Sequence, residues 1–200
     1  AVLGFNAYLP NDVAVVLETA LEKDRGRRYA TALALAEARP QLQVIEGDFY
    51  SVEVPGLFDL VCYWDGFGVG NDAEQKHLMR RIASWLAPDG CALLDIITPW
   101  YWAATAGRGW EVGSANRRYS FDAYGCRMLD TWWPGDDESQ AVTQSLRCYS
   151  PADLRLLLQH TGLTLQSLEP GGAVDYDKHE WHPQVPLEQA MSYVAKLIKR

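Results

Sequence analysis

Residues 57–97, LFDLVCYWDGFGVGNDAEQKHLMRRIASWLAPDGCALLDII, constrain the chain more than any other stretch. Leu60 to Trp64 is an apolar run of buried-strand length. Three glycines within 66–70 break it, because they permit backbone shapes that a side chain forbids. Asn71 or Asp72 can cap the helix that follows. Leu78, Ile82, Trp85 and Leu86 recur at helical spacing and give it one apolar face. Pro88-Asp89-Gly90 stops the helix, and Cys91 to Ile97 is a second continuous apolar strand. Two such strands joined by one helix predict a right-handed parallel crossover. Ligands bind beyond the carboxyl ends of strands in such sheets. Tyr63, Trp64, Asp65 and Thr98 to Tyr101 lie at those ends.

The motifs FDLV, the loop, the helix, and LAPDG before CALLDI together resemble the second half of a class I S-adenosylmethionine (SAM)-dependent methyltransferase of small-molecule type. VIEGDF at 44–49 resembles the preceding strand and turn of that family. RCYSPADLRLLLQHTGL at 147–163 resembles its late helix, and SYVAKLIKR its final antiparallel strand. The match covers roughly residues 43–97 and 147–200, and the order and spacing of the motifs are more specific than any one of them. The resemblance implies SAM as cofactor. It gives Asp48 the adenine amino group to accept from, and Phe49 a backbone amide to offer the ring. It sets Tyr63, Trp64 and Asp65 beside the methionine part, where aromatic faces attract a sulfonium cation at around 0.5–2 kcal/mol.

One part of the family pattern is missing. A methyltransferase begins with a strand, a GxGxG-type loop, a helix and a second strand ending in an acid. The only glycines before Gly47 are Gly4 and Gly26, and 24 residues, 19–42, separate a first strand at 13–17 from the strand at 42–46. Residues 13–21 also fit a helix behind an Asn11 cap, the preferred reading. Residues 29–38, rich in alanine and leucine, predict another helix. Two explanations stay open: the natural chain carries further residues near 18–28, or a deletion has destroyed the cofactor loop. An intact mass matching these 200 residues would sink the first.

Two hundred residues suit a single domain, with a core at 1–97 and 148–200 and an insertion at 98–147. The net charge of −8 argues against nucleic acid as a partner, since phosphate backbones need a basic footprint. No apolar run predicts a membrane span. Cys62, Cys91, Cys126 and Cys148 are scattered, with Cys62 and Cys91 on expected core strands, so a reduced cytoplasmic protein is the simplest expectation. A homodimer is left open.

Five of the eight tryptophans fall within 100–133. An aromatic helix or turn starts at Trp100, and strand-like segments follow at 117–121, 127–133 and 141–147, separated by turns at 122–125 and 134–137. This predicts an antiparallel insertion of about three strands. In methyltransferases of the resembled type, an insertion here covers the substrate; the alternative is a packing layer over the sheet edge. The expected substrate-facing residues are Trp100, Trp102, Trp110, Arg118, Trp132 and Arg147, suited to an apolar or aromatic acceptor with an acidic group. Ser150-Pro151-Ala152-Asp153 starts a helix ended by Gly162. A sixth strand follows at 163–168, then a loop to Pro186 and a strand at 191–198.

Asp65, His179 and His182 are candidate catalytic bases. His179-Glu180-Trp181-His182 lacks a third ligand at metal spacing, so a solvent loop, and no metal, is expected. His77 and His160 are expected to be structural, on helices. The expected fold is α/β: a doubly wound, mostly parallel Rossmann-like sheet with an antiparallel last strand and an inserted antiparallel β lid. The expected function is methyl transfer from SAM to an oxygen or nitrogen of a small molecule. The alternatives are a methyltransferase-like scaffold that binds a partner, or a nicotinamide-dependent reductase, against which stands the absence of a YxxxK pair after the fourth strand.

Overall fold

A computed structural model describes residue 45 and residues 47–200. The expectations for 1–44, including both helices and the missing glycine loop, lie outside the described residues. Ile45, within the strand expected at 42–46, is exposed and belongs to no strand. The chain divides into two compact units, Ala1–Asp48 and Phe49–Arg200; the second is described here.

The expected crossover is present. Strand β1 (Phe58–Tyr63) leads through the glycine loop to helix α1 (Asp72–Trp85) and then to β2 (Leu86–Ile97), which pairs parallel to β1. Asn71 caps α1 by accepting from the Ala73 and Glu74 amides, and the Glu74 carboxylate accepts from the Asn71 amide at 2.7 Å. The buried face is Gln75, Leu78, Met79 and Ile82, an i, i+3, i+4, i+7 stripe. β2 begins five residues earlier than the turn at 88–90 suggests. Phe58 pairs with Leu86 and Leu60 with Cys91, so residues 87–90 bulge out of the ladder.

Helix α2 (Pro99–Thr105) follows β2 directly. The insertion is a four-stranded antiparallel sheet in sequence order: β3 (Gly109–Val112), β4 (Ala115–Asp122), β5 (Arg127–Pro134) and β6 (Val142–Arg147). The expected turns fall where placed; β3, masked by its glycines and short length, is the extra strand. Helix α3 (Pro151–Leu157) starts on a Ser150–Asp153 capping box and leads into β7 (Leu163–Pro170). Residues expected to be a plain loop contain a hairpin, β8 (Ala173–Asp175) with β9 (Glu180–His182). His160 sits on a left-handed turn at φ 63°, not on the helix.

The last strand, β10 (Ser192–Lys199), pairs antiparallel to both β2 and β7, giving the order β1-β2-β10-β7. Three strands run one way and β10 alone is reversed, as expected. Tyr193, Ala195 and Leu197 alternate into the core against Leu94, Ile96, Leu78, Met79 and Leu154. Each such large apolar side chain contributes roughly 1.5–3 kcal/mol by leaving water. All four cysteines are free thiols, and Cys62 is exposed, not core: along β1 only Leu60, Val61 and Tyr63 are partly buried. Among the described residues no helix is long and apolar enough to cross a membrane.

Candidate functional site

The carboxyl ends of β1 and β2 lie side by side, because Tyr63 is in register with Leu94. Beyond them the chain carries two half-buried tryptophans, Trp64 and Trp100. The indole Nε1 of each is buried without a hydrogen-bond partner among the described residues. A buried donor left without a partner costs about 1–3 kcal/mol, so each indole N–H has hydrogen-bonding capacity to offer at this end of the sheet. Tyr63 closes the floor: its hydroxyl donates to the Gly66 carbonyl at 3.1 Å, and burial pushes its pKa up to about 12. Its ring meets Phe49 edge-on at 5.7 Å. Asp48 is exposed at the turn before Phe49.

Asp65 is exposed and takes the left-handed conformation at φ 54°, which aspartate tolerates better than most residues. Its neighbour across the strands is one that sequence reasoning passed over, Asp95 of β2. Burial raises the Asp95 carboxyl above its usual range, Ser192 of β10 partly offsets this by hydrogen bonding, and the Asp65 charge raises it further. The signal was available: an aspartate inside an otherwise apolar buried strand is unusual without a task.

The glycine end of the loop between β1 and α1 has a packing role. Gly68, at φ 106°, has room for no side chain: a Cβ there would lie 2.9 Å from the Arg147 nitrogen and closer still to its carbonyl oxygen. The Arg147 amide donates to the Gly68 carbonyl at 2.9 Å, and Arg127 donates to the carbonyls of Gly70 and Gly68. Buried Gln75 holds the loop from below, accepting from the Gly68 amide and donating to the Tyr50 hydroxyl at 2.8 Å. The glycines therefore dock the inserted sheet on the core.

The substrate candidates separate. Trp100 stays at the strand ends. Trp102 is buried, its Nε1 donating to the Met191 carbonyl at 2.9 Å, and it packs with Tyr119, Met128, Leu146 and Cys148. It is a core residue of the insertion, which departs from the expectation that it faces a cleft. Arg147 pairs with Asp72 at 3.3 Å, lies over the Tyr149 ring and donates to the Cys126 and Cys148 carbonyls. It lines an open groove of about 350 Å³ between the first turns of α1 and α3. Arg118 points to the outer face, where it pairs with Glu138 and covers Trp133. Alternation decides this: Arg117, Tyr119 and Phe121 share the inner face, and Arg118 takes the opposite one.

That inner face reads as rows across the ladder. Trp110, Arg117, Trp132 and Val142 are directly opposite one another in turn, as are Phe121, Met128 and Leu146 nearer the core. Between the rows Asp130, 4% exposed, takes a bidentate hydrogen bond from Arg117 at 2.8 and 2.6 Å. The guanidinium stacks within 4.3 Å of the Trp132 ring, 4.7 Å of Tyr119 and 5.6 Å of Trp110. Tyr176 from the β8–β9 hairpin closes on Trp110, and burial and neighbouring tyrosines push its hydroxyl pKa upward. Arg117 and Asp130 were not singled out from sequence; the strand period was the signal that could have found them.

His179 and His182 are exposed on the β8–β9 hairpin, His179 at φ 57° and His182 3.9 Å from Glu180. The hairpin that carries them is held to Tyr101, whose hydroxyl donates to the Val174 carbonyl at 3.2 Å. Among the described residues no three His, Cys, Asp or Glu side chains are grouped as metal ligands.

No family model matches the chain, and no curated protein sequence matches it. Solved structures do. A SAM-dependent methyltransferase from Clostridium acetobutylicum ATCC 824 superposes with a TM-score of 0.60 at 13% identity, covering 84% of this chain and 72% of that one. The CcbJ methyltransferase from Streptomyces caelestis gives 0.55 at 17% identity, over 76% of this chain and 62% of its own. The PH0226 protein from Pyrococcus horikoshii OT3 gives 0.55 at 14% identity, over 84% and 67%. The chain thus spans between 62% and 72% of these proteins. It has the Rossmann-like α/β fold found in SAM-dependent methyltransferases.

Proposed function

We propose that the protein is a SAM-dependent methyltransferase acting on an oxygen or nitrogen of a small molecule. The observation that carries the reading is the pair of orphaned, buried indole N–H groups, Trp64 and Trp100, at adjoining strand ends. On this fold those ends are where a ligand sits. Bound SAM would supply an electrophilic methyl group on a sulfonium. Asp48 would accept from the adenine amine, Phe49 would offer its amide, and Tyr63 and Trp64 would face the methionine part. Asp65, exposed beside the raised carboxyl of Asp95, is the strand-end candidate for taking the acceptor's proton. The inserted sheet would hold the acceptor, align it and exclude water.

Thermal shift tests the cofactor, since a ligand that binds only the native state raises stability by mass action. S-adenosylhomocysteine should raise the melting temperature and NADPH should not; the reverse result overturns the reading in favour of a reductase. Asp48→Ala should weaken S-adenosylhomocysteine by about one to two decades, the worth of one hydrogen bond to a charged group. A methyltransferase-like scaffold that binds a partner is the second reading. Calorimetry showing no binding of either SAM or S-adenosylhomocysteine would establish that the site is not a cofactor site.

A further inference from the structure

The row nearest the core, Phe121–Met128–Leu146, fills the insertion with apolar side chains alone. The next rows do not. They hold an arginine and an aspartate where apolar residues of similar size would pack at least as stably, because a buried ion pair is seldom a net gain over hydrophobic packing. Arg117 uses Nε and one Nη2 hydrogen for Asp130. Its Nη1 has no partner among the described residues, and the side chain is 26% exposed. Two indoles flank it in register, and Val142, 72% exposed, extends the apolar row beyond Trp132. The pair and its aromatic walls leave the guanidinium little freedom, so its open edge is presented in one orientation.

We propose that Arg117 is a specificity-determining residue for the acceptor, donating from Nη1 to an uncharged hydroxyl or carbonyl oxygen on a ring that lies against Trp110 and Trp132. The charge state follows from the pair. Asp130 already balances Arg117, so an anionic acceptor would add an uncompensated negative charge beside a buried carboxylate. A cationic one would meet the guanidinium itself. A neutral oxygen takes the free N–H groups at no electrostatic cost, and the indole faces supply apolar walls with one polar anchor, the common form of a small-molecule site. This inference rests on the reading of the inserted sheet as the acceptor side.

The test uses three matched rings as probes: neutral 4-hydroxyacetophenone, anionic 4-hydroxybenzoate and cationic tyramine. Binding to the full chain is followed by tryptophan fluorescence and saturation-transfer NMR, with and without S-adenosylhomocysteine. The neutral ring should bind about tenfold tighter than either charged one. Arg117→Lys should weaken it about tenfold and level the three affinities. Because Arg117→Met alone strands a buried carboxylate, the second variant is Arg117→Met with Asp130→Leu, which removes both charges. With wild-type melting it should lose the neutral probe. Equal affinity for the three rings, unchanged affinity in the double variant, or no binding of any ring overturns the proposal. S-adenosylhomocysteine binding on the same samples reports separately: its absence sinks the methyltransferase reading and leaves the ring comparison interpretable.

Discussion

The two four-stranded sheets of residues 49–200 are built on different physics. In β1-β2-β10-β7 the buried positions include Leu86, Ala92, Leu94, Ile96, Tyr193, Ala195 and Leu197, each at 0% exposure. Their burial is non-directional, so many apolar residues of similar size would do. In β3-β4-β5-β6 the inner face holds an ion pair, three stacked rings around one guanidinium, and only a short apolar row. Those contacts are directional, and removing one partner leaves a buried charge instead of a small void. The difference separates contacts that tolerate exchange from contacts that do not. The core sheet supplies stability and strand ends; the inserted sheet supplies a face with fixed chemistry. They meet where Ile97 and Met191 pack on the Trp102 cluster and at a polar seam, where Arg127 and Arg147 grip the carbonyl oxygens of Gly68 and Gly70.

The largest expected effect breaks the directional sheet. Asp130→Ala leaves Arg117 half-buried without its carboxylate and should cost about 3–5 kcal/mol. Urea unfolding should show one transition at a lower midpoint. The Arg117→Met and Asp130→Leu double variant should recover most of that loss. If Asp130→Ala costs less than about 1 kcal/mol, the pair is solvated and the contrast between the sheets fails.

A somewhat smaller effect is expected at the seam. Gly68→Ala combines left-handed strain of about 1–2 kcal/mol with overpacking of about 1–3 kcal/mol against the Arg147 backbone. Its distinguishing sign is cooperativity: the inserted sheet should melt before the core, giving two calorimetric transitions. A single transition at the wild-type temperature would mean that the seam does not couple the sheets.

The core sheet was legible in the sequence because its signals are local. An apolar run, a capping asparagine and an apolar stripe at helical spacing each fix one element, and their order fixed β1, α1, β2, α3, β7 and the reversed β10. The inserted sheet was legible in its turns but not in its faces. Arg117 and Arg118 are one residue apart, and that step puts their charges on opposite sides of the sheet. Trp102 could not be told from Trp100, since both are tryptophans on one short helix and only packing decides which is core. The β8–β9 hairpin is three residues per strand, too short for any period to show. Cys62 misled because β1 resembles a strand buried on both faces, and in the structure its Cys62 position is exposed.

The smallest effect, and the one that sharpens the comparison, is alkaline titration of tyrosines shared between the sheets. In the core, burial pushes the pKa of Tyr63 up to about 12 and raises those of Tyr149 and Tyr193 further. In the insertion, burial raises Tyr119 to about 12, opposed by Arg117 and assisted by Asp130. An unfolded tyrosine titrates near 10. Between pH 10 and 12 the native protein therefore holds more of these protons than the unfolded chain does. Stability falls with pH wherever the native state binds more protons. It should thus be fully present below pH 10 and decline as pH rises toward 12. Because the seam couples the sheets, the tyrosinate absorbance of these buried tyrosines should appear in one step, together with loss of the near-ultraviolet circular dichroism. Two separated steps in the wild-type protein, with half of the circular dichroism surviving the first, would show that the directional sheet opens by itself. Gly68→Ala should convert the single step into those two, which ties this titration to the seam and not to the tyrosines alone.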